Sequence, residues 1–271
     1  IKLVIFDLDG TLADTIPDIG AAISKTIAKY GDFGNIEDLT RRSIGNGARK
    51  LLERVYDALG ISKDGLEEDL RDYEALYARE NCIDTVLYPN TQKVLDGLRA
   101  RGIRMSVATM KPRGATMGVL ENLGVTPYMD LILSADDMAA PKPDPWSVLA
   151  CAEHAGVTAE ECMMVGDSMT DVGAGLRAHA VSVARMGGYY DQEKMRHSGA
   201  DYSIDDIGEV LDIREGERLE GGVLHELYVD GSEGSAKIVT ENAIRTVLCS
   251  PGLEATRQDG SVATLGSLLP S

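Results

Sequence analysis

Positive charge, cysteine, histidine and aromatic side chains are all scarce in this sequence. Lys and Arg number 27 against 44 Asp and Glu, giving a formal net charge of -17. No basic cluster interrupts the acidic background, and because grip on a phosphate backbone rests on clustered cations, nucleic acid is not an expected partner. The four cysteines, Cys82, Cys151, Cys162 and Cys249, form no CxxC pair, so they suit buried thiols in a reducing compartment better than a disulfide framework. His154, His179, His197 and His225 show no metal-ligand spacing. No apolar run approaches the roughly 20 residues that span a bilayer, so no membrane partner is expected. The chain opens on a strand-like run without a basic, apolar leader, so a cytoplasmic protein is expected; the absent initiator Met points the other way, to a short leader that has been trimmed. Nothing in the pattern sets an oligomeric state.

What is present suffices for a core. The 271 residues are 44% hydrophobic and 5% aromatic, enough for one large or two modest domains with a mainly aliphatic interior. From residue 86 to about 215, short apolar runs alternate with amphipathic stretches, the pattern of strands and helices in a parallel sheet covered by helices. Asn90 opens a helix carrying Val94, Leu95 and Leu98 that stops at Gly102; Ile103 to Ala108 then reads as a strand, and Arg113 to Leu123 as a helix ended by Gly124. Asp144 and Pro145 form a cap and first-turn pair for a helix reaching Ala155. Leu131 to Leu133, Cys162 to Val165 and Val181 to Ala184 are further strand candidates. Residues 14–85 hold helical stretches, among them Gly47 to Leu59 and Leu66 to Ala78, and no convincing strand. They are expected to form a helical cap domain inserted into a core made of residues 1–13 and 86–215. Residues 216–271 change character: "VLHELYVDGSEGSAKIV" alternates like a hairpin, and a short helix is expected around Asn242 to Leu248. This segment is an extension of unassigned role, with β-rich structure expected.

Residues 3–14 read "LVIFDLDGTLAD". Four apolar residues run into two aspartates, and carboxylates at the end of a buried strand must be paired or must bind a cation. Three further stretches place polar residues after predicted strands, where open parallel sheets bind ligands. They are Thr109 and Lys111 after "RMSVA", Lys142 in "PKPDP", and Asp167 with Asp171 in "CMMVGDSMTD".

Together, "DLDGTL", "VATMK", "KPDP" and "GDSMTD" resemble the four motifs of the haloacid dehalogenase superfamily of aspartate-based phosphatases, over residues 1 to about 213. The resemblance implies an α/β fold, a Rossmann-like parallel sheet with an inserted helical cap. It also implies a Mg2+-dependent phosphatase that works through an aspartyl-phosphate. Asp7 is the implied nucleophile. Asp9 would protonate the leaving alcohol and later take a proton from water. Thr109 and Lys142 would hold the phosphoryl oxygens. Mg2+ would bind the Asp7 carboxylate, the Asp9 backbone carbonyl and Asp167, with Asp171 and Ser168 behind them orienting Lys142 or a metal-bound water. Gly10 permits the sharp turn that this needs.

Within the insertion, "IGNGARKLLERV" is similar to the cap of the phosphoglycolate phosphatase branch. A small phosphorylated metabolite, 2-phosphoglycolate first, is the expected substrate, and Arg49 is the candidate for its carboxylate, with Asn46 and Arg42 as other cap candidates. Met110 stands where many relatives carry Asn, which leaves the part played by Lys111 open. Asp9 argues against dehalogenase and phosphonate-hydrolase chemistry. A β-phosphoglucomutase-like phosphomutase, a pyrophosphatase, and a binding module with an idle site remain as alternatives. The tail segment "ENAIRTVLCSPGLEATRQDGSVATLGSLLPS" is faintly similar to the terminal segment of the stage II sporulation protein D family, and no activity is carried over from it.

Overall fold

The computed structural model describes residues 1–45, 47–211 and 213, together with the backbone of four short strands at 227–231, 234–238, 254–256 and 262–264. The chain divides into two compact units, Ile1–Asp212 and Ile213–Ser271.

The first unit is built on six parallel strands: β1 (Leu3–Phe6), β4 (Arg104–Ala108), β5 (Leu131–Leu133), β6 (Cys162–Gly166), β7 (Val181–Arg185) and β8 (Tyr202–Ile204). Their order is β5-β4-β1-β6-β7-β8. This is the parallel α/β sheet expected from the alternating pattern, with the Rossmann-like architecture that the resemblance implies. Helices α5 (Thr91–Ala100), α6 (Arg113–Asn122), α7 (Trp146–Ala155), α8 (Met169–Arg177) and α9 (Gln192–Arg196) accompany the strands. Strands such as LVIF and CMMVG are buried along their whole length, which is why they read as unbroken apolar runs and not as alternation. Two elements start differently from the sequence reading. Asn90 makes no side-chain cap to α5; its amide donates to Asp206 instead, with both oxygens at 3.0 Å. At α7 the capping position falls on Pro145, and Asp144 reaches past it to accept the Trp146 N–H at 2.9 Å.

Register fixes where the loops emerge. Phe6 pairs with Val107 on one side and Val165 on the other, so Asp7 stands level with Ala108 and Gly166. Thr109 and Asp167 come one residue later. The chain travels outward from β1 through β4 and β5, then crosses back to β6, making the β1/β6 boundary the switch point where such sheets bind ligands.

Between β1 and β4 the chain forms β2 (Ala13–Asp14), then α1 (Ile16–Ile27), α2 (Glu37–Ser43), α3 (Ala48–Leu59) and α4 (Leu66–Arg79), and returns through β3 (Val86–Leu87). The four helices share an apolar cluster that includes Ile23, Leu52, Val55, Tyr56 and Tyr73. A buried carboxylate ties three of the segments: Asp69 of α4 accepts from the Tyr30 hydroxyl at 2.7 Å and from the Tyr56 hydroxyl, and pairs with Lys29. Burial alone raises the pKa of Asp69, but these donors outweigh it and hold the group below its usual range. One finding departs from the strand-free reading of the insertion. Asp14 and Ala13 pair antiparallel with Val86 and Leu87, so the chain leaves and re-enters the sheet unit side by side. The return segment is held by Asp18 of α1, which is buried and accepts the N–H groups of Ile83 (3.0 Å), Asp84 (3.0 Å) and Thr85 (2.8 Å) and the Thr85 hydroxyl (2.6 Å).

In the second unit, β9 (Leu227–Gly231) and β10 (Gly234–Ile238) pair antiparallel, forming the expected hairpin, and β11 (Glu254–Thr256) pairs with β12 (Val262–Thr264). The helix expected around Asn242 to Leu248 lies outside the described residues, as do Cys249, His225 and Asn46. No helix among the described residues is long and apolar enough to cross a membrane.

Two expectations follow. Asp18→Ala strands three backbone donors and a hydroxyl at once and lowers unfolding stability by about 3 kcal/mol, seen as a lower urea midpoint at unchanged m. A chain ended after Arg214 keeps the melting temperature of the full chain, because the first unit carries its own core.

Candidate active site

Short loops after β1, β4, β5, β6 and β7 converge at the C-terminal edge of the sheet. Their common centre is Lys142, which lies in the loop between β5 and α7 and is buried. Its ammonium donates to Asp7 Oδ1 at 2.9 Å, Asp171 Oδ1 at 2.5 Å and the Ala108 carbonyl at 2.7 Å. Three donors thus meet three acceptors. Burial opposes the charge on Lys142, but Asp171 and Asp7 more than offset it and raise its pKa.

The carboxylates around it are crowded. Ligand atoms of Asp7, Asp167 and Asp171 all lie within 4.8 Å of one another, and all three residues are buried. Burial, helped by Asp171 and Asp9 and opposed by Lys142, pushes Asp7 up to about 7. Burial and the charges of Asp7 and Asp171 push Asp167 up to about 8. One lysine does not balance this much negative charge.

Asp167 is gripped from several sides. The Tyr189 N–H donates to its Oδ2 at 2.6 Å, and the Thr11 hydroxyl lies 3.4 Å from Oδ1. Two glycines make room for it. A Cβ on Gly10 (φ +81°) or on Gly188 would stand 2.3 Å from Asp167 Oδ2, closer than any real contact, and Gly10 also needs the left-handed backbone that disfavours other residues. Ser168 begins α8 with a reciprocal cap. Asp171 Oδ2 accepts from the Ser168 hydroxyl at 2.6 Å and its N–H at 3.1 Å, while the Asp171 N–H points back to the Ser168 hydroxyl at 3.4 Å. Asp171 is therefore both the cap of a helix and the partner of Lys142.

Asp9 is turned away from this cluster. Its Oδ1 accepts from the Thr15 hydroxyl at 2.8 Å, and Lys111 donates to Oδ1 at 2.8 Å and Oδ2 at 3.0 Å. Lys111, whose part the sequence left open, is buried and belongs to the site. Thr109 is buried as well, and its hydroxyl oxygen accepts the Lys111 N–H at 3.3 Å.

These groups form the floor of a cavity of about 780 Å3 whose opposite wall comes from the helical insertion, including Ile44, Leu51, Leu70, Tyr73 and Tyr77. Arg49 lines it too, with its guanidinium forked on Glu67 at 2.5 and 2.8 Å. Arg42 is exposed and does not line the cavity. Asp7, Asp9, Thr109, Lys142, Asp167, Ser168 and Asp171 are thus brought to one place from four stretches of sequence.

Three contributors escaped sequence reading. Thr15 touches Asp9. Tyr189, besides its bond to Asp167, accepts the Thr15 N–H on its hydroxyl at 2.6 Å and donates to Asp14 Oδ1 at 2.7 Å. Arg185, buried at the end of β7, donates to the Gly10 carbonyl at 2.6 Å and lies 3.8 Å from the Tyr88 ring centroid. The only written signal was "MGGYYDQ" directly after β7, equally readable as a surface turn.

Comparison with known proteins agrees with this geometry. A family model of the haloacid dehalogenase-like hydrolases matches residues 1–179. A phosphoglycolate phosphatase from Rhodospirillum rubrum is 37% identical over 218 residues, covering 78% of this chain and 90% of that protein. A structure from Haemophilus somnus, described as a predicted phosphoglycolate phosphatase, superposes with a TM-score of 0.72 at 27% identity over 78% of this chain and 97% of its own. Another, from Thermotoga maritima and provisionally named a β-phosphoglucomutase, gives 0.62 at 25% identity over 78% and 97%. A buried acidic cluster at the switch point of a parallel sheet, facing a helical insertion, and a family match over most of the chain lead to one conclusion: the chain belongs to the haloacid dehalogenase-like hydrolases and is a phosphatase of that family.

Proposed function

We propose that the chain hydrolyses the phosphomonoester of a small metabolite, 2-phosphoglycolate before others, through an ester formed transiently on Asp7. The observation that carries this reading is the Lys142 junction, which orients one carboxylate oxygen of Asp7 by a hydrogen bond and is itself held by Asp171 and the Ala108 carbonyl.

A phosphomonoester resists attack because its oxygens are anionic, so catalysis consists mainly of charge neutralisation and in-line positioning. Asp7 forms a bond to phosphorus as the ester P–O bond breaks. Asp9 gives its proton to the departing oxygen, then takes one from the water that cleaves the Asp7–phosphorus bond. Lys111 and Thr15 keep the Asp9 carboxylate oriented for both transfers. The hydroxyl of Thr109 donates to a phosphoryl oxygen. Because the three N–H groups of Lys142 are engaged within the protein, it acts on the phosphoryl group through its charge.

The donor set fits a hard divalent cation. Three buried carboxylates lie together, and burial with the neighbouring negative charges pushes Asp7 and Asp167 up. Asp171 spends its oxygens on Lys142 and Ser168, which leaves Asp7 and Asp167, with the Asp9 backbone carbonyl, as ligands for Mg2+. Bound there, Mg2+ supplies charge neutralisation at the phosphoryl oxygens.

Residues 14–85 act as a cap over a core of residues 1–13 and 86–215, and the cap sets the substrate. Arg49 takes the substrate carboxylate by its bidentate fork. Its present pair with Glu67 is exposed, with side chains 46% and 65% accessible. Such pairs contribute about 0–1 kcal/mol and yield readily to a ligand. The curated relative at 37% identity carries the phosphoglycolate phosphatase name. The Thermotoga likeness, together with Asp9, keeps one second reading: transfer of a phosphoryl group within a sugar phosphate, which produces an isomer where the first reading produces free phosphate.

Asp7→Asn lowers kcat at least about a thousandfold in a phosphate-release assay, and chelation abolishes turnover until Mg2+ is returned. Parent-like turnover in either case overturns the mechanism. Arg49→Ala raises KM for 2-phosphoglycolate about tenfold with little change in kcat, while leaving KM for an alkyl phosphate that lacks the carboxylate in place.

A further inference from the structure

Tyr77 is the point at which the helical insertion reaches the Asp9 side of the site. It lies on α4 and is 3% exposed. Its ring stacks on Tyr73 with centroids 5.7 Å apart and planes 5° from parallel. That stack fixes the plane of the ring, and the Lys111 ammonium lies 4.6 Å from its centroid, within the range of cation–π attraction. The same ammonium donates to both oxygens of Asp9. Carboxylate and aromatic face therefore hold one buried cation between them.

The Tyr77 hydroxyl, by contrast, is buried with no hydrogen-bond partner among the described residues. A phenol kept in that state costs stability and adds no polar contact, so the ring is what the site uses. Lysine has a flexible four-carbon stem and a strongly hydrated head. With no ring against it, water enters and the ammonium leaves Asp9 easily. We propose that Tyr77 is a positioning residue whose ring holds Lys111 against Asp9, keeping that carboxylate aimed at the leaving-group oxygen. The inference rests on the reading of Asp9 as the group that protonates the leaving alcohol.

Phenyl phosphate and p-nitrophenyl phosphate test it, because they are similar in shape and differ in leaving group. Phenolate needs a proton as it departs; nitrophenolate leaves without one. On kcat/KM, which reports the step that expels the leaving group, Tyr77→Leu loses about tenfold with phenyl phosphate and stays within about twofold with p-nitrophenyl phosphate. Lys111→Met shows the same selective loss, and adding Tyr77→Leu to it changes nothing further. Tyr77→Phe keeps both activities and melts no lower than the parent. Equal losses on both substrates, no loss on either, or damage from Tyr77→Phe overturns the proposal, and damage from the Phe variant does so even if the Leu variant does not fold. Asp9→Asn separates the two levels of argument. If it spares phenyl phosphate, the reading of Asp9 fails; if it abolishes that activity while Tyr77→Leu is harmless, only the role of Tyr77 fails.

Discussion

Buried like charge is the constraint from which this site follows. Asp7, Asp167 and Asp171 are brought out of water within 4.8 Å of one another, an arrangement that an uncompensated interior would not tolerate. Lys142 meets part of the cost by bridging Asp7 and Asp171 and anchoring to the Ala108 carbonyl. Burial, together with the neighbouring carboxylates, still pushes Asp7 up to about 7 and Asp167 up to about 8. Such a cluster favours further positive charge, which would draw both carboxyl groups back toward their ionised forms.

Around this cluster the structure separates two carboxylate jobs by giving each its own lysine. Lys142 serves Asp7 and Asp171; Lys111 serves Asp9, aided by Thr15. Two aspartates one residue apart in sequence thus acquire different environments. The left-handed turn at Gly10 sends the chain away just after the second, and Arg185 holds that turn by its carbonyl. In the proposed mechanism, proton transfer and nucleophilic attack are kept distinct by backbone geometry as much as by side-chain identity.

Much of this was legible in the sequence because the parallel sheet writes itself plainly. Runs such as LVIF, RMSVA and CMMVG are buried on both faces, and each is followed at once by its polar residues, so strand ends and site residues mark each other. Lys111 was harder to place because a lysine after a strand is ordinarily solvated, and only the fold shows it buried against Asp9. Thr15, Tyr189 and Arg185 were silent for a related reason: their partners lie 6, 22 and 175 residues away, and a single sequence carries no trace of such pairings. The two-residue ladder between β2 and β3 is too short for any periodicity to reveal it. Arg49 shows another limit, since it was one of three cap candidates, and only the fold sets it at the cavity with its fork on Glu67.

That same short ladder has an evolutionary meaning. Ala13 and Asp14 lie beside Leu87 and Val86 at the ordinary spacing of paired strands, about 5 Å. Seen from the sheet, the whole helical segment is therefore a loop with adjacent ends. Any replacement whose ends meet at that separation can be spliced in without moving β1 or β4, provided that it restores what Thr15 and Tyr77 supply beside Asp9 and Lys111.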